Sequence, residues 1–174
     1  MKLSVIAFAG ALLAPIGIAA AQSVSDAQIA SIVVTANQVD IDAGELAASR
    51  ADNPEVKAFA QRMVTDHSGV NKSASELVTR LGVTPEDNPT SQSLKAGGEK
   101  NLSNLKALKG AAFDRAYIDH EVAYHDQVLD ALDKTLIPGA KNDELKALLV
   151  KVRPAFVAHR DHAKKIRASL QKGS

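Results

Sequence analysis

PEVKAFAQRMVTDHSGVNKSASELVTRL, residues 54–81, sets the reading of the whole chain. Val56, Phe59, Ala60, Met63, Val70, Ala74, Leu77, Val78 and Leu81 recur at intervals of three and four, which draws one apolar stripe along a helix. Asn53-Pro54 supplies an N-cap and a first-turn proline, and Gly82 supplies the stop. Upstream, a second stripe starts at Ser25-Asp26, passes through Ile29, Ile32, Val33, Ala36, Val39, Ala43 and Ala47, and ends near Ala51. A join as short as Asp52-Asn53-Pro54 folds the two helices into an antiparallel hairpin.

Downstream, residues 82–93 (GVTPEDNPTSQS) are rich in Pro, Ser and Thr and are expected to be a connection. Leu94 to Leu108 predicts a short, weak helix around Gly97-Gly98. A third long helix is predicted over about 112–136 from Phe113, Tyr117, Ile118, Val122, Val128, Leu129 and Leu132, with Pro138-Gly139 breaking it. A fourth, about 142–171, carries Leu145, Leu148, Leu149, Val152, Phe156, Ala163, Ile166 and Leu170, and Pro154 inside it predicts a kink. Two tight hairpins with a long crossover containing a short helix define an all-α, ferritin-like four-helix bundle.

The amino terminus has another character. Lys2, an apolar run from Leu3 to Ala14, and the small residues Ala19 and Ala21 before Gln22 predict a secretory signal peptide over 1–21. The mature domain is then 22–174, with a periplasmic location. Pro15 and Gly17 interrupt the run before it reaches the length of a membrane span, so no transmembrane segment is expected after processing. There are 21 basic and 20 acidic residues, and Lys2 leaves with the leader. That balance argues against nucleic acid or anionic lipid as a partner, leaving an envelope protein or a second copy. With no Cys in the chain, thiolate ligands and thiol catalysis are excluded.

A bundle core should be apolar, so polar residues at core spacing on these stripes carry the information. Asp40 lies between Ala36 and Ala43 at helical spacing, and His67 between Met63 and Val70. Counted outward from the Asn53-Pro54 turn, Asp40 and His67 are equidistant, so the hairpin sets them at one height. Glu121 and His125 are one turn apart on the third helix, and His159 follows Phe156 on the fourth, with His162 one turn on. Asp40, His67, Glu121, His125 and His159 therefore converge from all four helices, with Asp66, Tyr117 and His162 behind them. Imidazoles and carboxylates on facing helices make a metal-ligand set. The paired Glu-x-x-His of di-iron proteins is missing, since Val64 and Phe156 stand three before His67 and His159. A divalent transition metal, zinc or copper rather than a di-iron pair, fits the donors. The same residues also suit a buried hydrogen-bonded layer that only fixes helix register, or an acid–base site. His120 falls on a different face from His125 and is expected in solvent.

Two segments then resemble a known family. Val39 to Ala47 (VDIDAGELA) with Val56 to His67 (VKAFAQRMVTDH), and Phe113 to Ile118 (FDRAYI) with His125 and the Pro154 to His159 stretch, are similar to the two hairpins of bacterial domain-of-unknown-function family 4142. Its members are often labelled predicted outer membrane proteins. The resemblance implies a ferritin-like bundle of the cell envelope with an envelope or stress-related role and brings no established enzyme activity. It marks Asp66, His67, Tyr117, His125 and His159 as the recurring polar positions, with Asp40 where relatives usually have Glu. A transmembrane barrel is not expected, because no strand-like alternation of useful length occurs.

Overall fold

Helix α1 (Asp26–Arg50) opens with a capping box: the Ser25 hydroxyl accepts from the Gln28 N–H at 3.2 Å and the Gln28 side chain accepts from the Ser25 N–H at 3.1 Å. In the computed structural model, which describes residues 24–172, most of the other described residues are helical too. The expected export segment lies outside the described residues. α2 (Pro54–Leu81) starts on Asn53, whose side chain accepts from the N–H groups of Glu55 and Val56, and ends on Gly82 at φ 64°. α3 spans Pro89–Lys106 and α4 Gly110–Ala131. α5 spans Asp143–Lys172 and continues across Pro154.

Two expectations need correction. The connection after α2 is shorter than residues 82–93, because α3 begins at Pro89. Asn88 caps it, accepting from Thr90 N–H at 3.0 Å and Ser91 N–H at 3.1 Å. Asn88-Pro89 is the same cap-plus-proline signal as Asn53-Pro54. Nor does Pro138-Gly139 cut the third helix. The chain widens into a π turn over Leu132–Leu136, in which the Ile137 N–H reaches back to the Leu132 carbonyl, and stays helical through Ile137–Gly139. The wider turn makes room for a proline ring that would press on the carbonyl four residues back in an α-helix.

α1 and α2 run antiparallel, as the descending contacts Asn71 to Val34, His67 to Asn37, and Ala60 to Gly44 show. α4 and α5 do the same, with Arg153 on Asp133 and Lys164 on Asp126. α2 also meets α5, α4 meets α1, and α3 lies against α1. A buried carboxylate ties one end: Asp114 accepts from the N–H groups of Asp52 (3.2 Å) and Asn53 (2.8 Å), fixing the first hairpin's turn to α4.

The apolar interior falls into two halves. One is built around Phe59, Met63, Phe113, Tyr117 and Ile118, the other around Ile29, Ile32, Leu77, Leu149 and Phe156. On every helix of the two hairpins, the polar positions named from sequence lie between the halves.

Close packing of α1 on α2 depends on Gly44. A Cβ there would sit 3.0 Å from Val64 Cγ2 and 3.1 Å from the Ala60 carbonyl, and backbone cannot give way cheaply. Gly44→Ala is expected to cost about 1–3 kcal/mol in thermal unfolding. Gly69→Ala, with nothing near its Cβ, should instead gain about 0.5–1 kcal/mol from helix propensity.

Candidate metal centre

Each helix of the two hairpins contributes to one buried layer. Asp40 from α1, His67 from α2, Glu121 and His125 from α4, and His159 from α5 are all at most 3% exposed. Asp40 Oδ2 lies 3.1 Å from His67 Nε2 and 3.6 Å from His125 Nε2. The three imidazole rings are mutually close, with centroids at 5.6 Å (His67–His125), 5.2 Å (His67–His159) and 5.6 Å (His125–His159). Two sets have ligand atoms all within 4.8 Å of one another: His67, His125 and His159; and Asp40, Glu121 and His125.

Partners behind the rings decide which nitrogen faces inward. Asn37 donates its amide to the Val33 carbonyl at 2.7 Å, which turns its oxygen onto His67 Nδ1, also at 2.7 Å. A carbonyl oxygen only accepts, so His67 Nδ1 carries the proton and Nε2 is bare. His125 Nδ1 donates to the Glu121 backbone carbonyl at 2.9 Å, which leaves Nε2 as its inward nitrogen. His159 Nε2 donates to Asp66 Oδ2 at 2.8 Å, leaving Nδ1 bare. These three nitrogens find no hydrogen-bond partner among the described residues. Although 3.1 Å apart, His67 Nε2 and Asp40 Oδ2 do not meet along a hydrogen-bond direction.

Electrostatics reinforce the pattern. Burial, followed by the neighbouring imidazoles His125 and His159, holds His67 well below the usual histidine range. Burial also brings His159 down to about 4, outweighing the attraction of Asp66. Both rings are therefore neutral at pH 7, the form in which imidazole binds metal. Burial pushes Asp40 well up, and Glu121 beside it raises it further. Burial raises Glu121 to about 7. Asp66, more exposed, stays ionised: its bonds to His159 and Arg62 outweigh partial burial and lower it.

Of the residues expected behind the candidate ligands, Asp66 touches His159 directly. Tyr117 is fully buried, and its hydroxyl finds no partner among the described residues. Burial, then the charges of Glu121 and Asp40, raise that hydroxyl well above the ordinary tyrosine range. His162 is not gathered in; it sits edge-on to Phe59 at 5.3 Å, partly exposed. His120 was misplaced in solvent. It is half-buried, stacked on Tyr124 at 5.5 Å, with Nδ1 3.8 Å from Glu121 Oε1. Asn37 was missed, although it stands four after Val33 and three before Asp40 on the same stripe.

The chain belongs to the family described as Domain of unknown function (DUF4142), whose model matches residues 13–166. Comparisons with curated proteins and with solved structures gave no match. Among the described residues, no helix is long and apolar enough to cross a membrane.

Asn37 gives the first mutational expectation. Asn37→Ala frees His67 Nδ1 and lets the ring turn, so if the layer holds zinc, its affinity measured by competition with a chelator should fall about 10–100-fold.

Proposed function

We propose that this chain is an exported, periplasmic protein of the cell envelope, a ferritin-like four-helix bundle that binds one divalent transition metal, zinc or copper. His67 Nε2, His125 Nε2, His159 Nδ1 and Asp40 Oδ2 are the ligands. Glu121 stands beside them as a second carboxylate.

One observation carries this reading: the layer has more lone pairs than protons. Three nitrogens and oxygens of two buried carboxylates lie in this one layer without hydrogen-bond donors among the described residues, in two ligand sets that share His125. A hydrogen-bonded layer that served only to fix register would need a donor for most of these atoms. A proton shared by Asp40 and Glu121 and the Tyr117 hydroxyl provide too few. A cation satisfies several at once.

Spacing supports the same conclusion. Ligands about 2.0–2.1 Å from a tetrahedral zinc are separated by about 3.3 Å. The Asp40 contacts of 3.1 and 3.6 Å bracket that edge. An imidazole whose outer nitrogen is held by carboxylate, carbonyl or amide is also the usual support of a metal-bound histidine. The His-rich donors favour a borderline metal over a di-iron pair.

Elemental analysis of untagged protein recovered from the cell envelope tests the proposal. About one zinc or copper per chain, on a polypeptide beginning at Gln22, is expected. Protein that remains metal-free after exposure to both ions overturns the metal site, and an unprocessed cytoplasmic product overturns the export.

A further inference from the structure

A second feature lies beside the metal layer and is independent of it. A cavity of about 210 Å³ opens between α1, α3, α4 and α5. Its walls include Ile32, Leu94, Val128, Leu149 and Phe156, and its mouth carries the exposed residues Thr90 and Gln127. The polar atoms at the inner end are already engaged. Asn37 serves Val33 and His67, and the Tyr124 hydroxyl donates to the Ala36 carbonyl at 2.9 Å. Water inside would find few partners, whereas hydrocarbon would lose nothing.

We infer that this cavity binds a single alkyl chain of about eight carbons, carried by a small amphiphile whose polar head stays at Thr90 and Gln127. Size sets the length. A cavity of about 150 Å³ holds benzene, and the larger volume here scales to about eight carbons. A folded peptide segment is far too wide, because a helix with side chains is about 10 Å across. The head cannot reach the metal layer. The void shared by Asn37, Tyr124, Phe156 and the imidazoles is only about 10 Å³, at the lower limit for one water. The chain end must therefore stop against Phe156, and the head belongs outside.

Titration calorimetry with 1-alkanols from butanol to dodecanol, on zinc-loaded and metal-free protein, tests this. One molecule should bind per chain, about fourfold more tightly for each added methylene, with no further gain once the cavity is full near eight carbons. Binding should persist without metal, so it survives failure of the metal reading. Ala131→Phe, which fills the interior, and Thr90→Trp, which covers the mouth from an exposed position, should each weaken octanol at least tenfold. Absence of saturable binding, affinity indifferent to chain length, or wild-type binding by Thr90→Trp overturns the inference. So does a dimer that octanol does not dissociate and that Thr90→Trp abolishes, because the occupant would then be a second copy.

Discussion

His67→Ala is expected to retain less than a tenth of the zinc carried by the wild-type protein after identical loading and dialysis. It removes one of four proposed ligands, the one 3.1 Å from Asp40, and with it the ring that stacks on Phe156 at 5.0 Å between His125 and His159. No neighbouring donor can take its place, because Asn37 faces the outer nitrogen and is bound to Val33. The stability readout separates metal binding from a register layer. Metal that binds only the folded state adds about 4 kcal/mol when it is a thousandfold above its Kd. Zinc should therefore raise the melting temperature of wild type strongly and that of His67→Ala very little. A layer that only fixed register would give both proteins the same response to zinc. His67→Ala would then lose only the cost of an unpaired buried partner, about 1–3 kcal/mol.

Glu121→Gln should have the opposite effect on the metal-free protein, making it more stable. In the unfolded chain Glu121 ionises near 4.5, whereas burial raises it to about 7 in the folded protein. Below pH 4.5 the carboxyl is protonated in both states and imposes no penalty. As pH rises from about 4.5 to about 7 the unfolded chain loses its proton first, so native stability falls. Above about 7 the full gap applies, on the order of 3 kcal/mol. Chemical denaturation of the metal-free proteins should find Glu121→Gln more stable by about that amount at pH 8, with the curves converging near pH 4.5. Asp40, held up partly by the charge of Glu121, should ionise more easily in the variant. Zinc should reduce or reverse the variant's advantage, since a cation removes the penalty on both carboxylates. Equal stabilities at pH 8 would mean that Glu121 is not a penalised buried acid.

Much of this was legible in the sequence for identifiable reasons. The hairpin fixed Asp40 against His67 because both helices start from one turn and rise equally per residue. Glu121 with His125, and His159 after Phe156, followed from the helical period alone. What escaped were features that need a neighbour to define them. Asn37 stands on the α1 stripe, but only α2, by placing His67 against it, gives it a role. Asp66 points away from His67 on its own helix, yet reaches His159 across the helix interface at 2.8 Å. His120 turns inward because Tyr124, itself bonded to the Ala36 carbonyl, provides a ring for it to stack on. Asn88-Pro89 was the exception: its cap signal was local and complete, and the loop-like composition around it concealed the helix start. The π turn before Pro138 belongs to neither group, since sequence shows that a proline must be accommodated but not how.

The central claim is that three histidine nitrogens, freed by Asn37, the Glu121 carbonyl and Asp66, share one metal with Asp40. X-ray absorption at the zinc edge of the loaded protein addresses it most directly. Three imidazoles and one carboxylate oxygen at about 2.0–2.1 Å are expected, with one imidazole fewer in His159→Ala. A six-oxygen shell at longer distance, or a spectrum unchanged by His159→Ala, would place any bound zinc elsewhere and leave the layer without a metal.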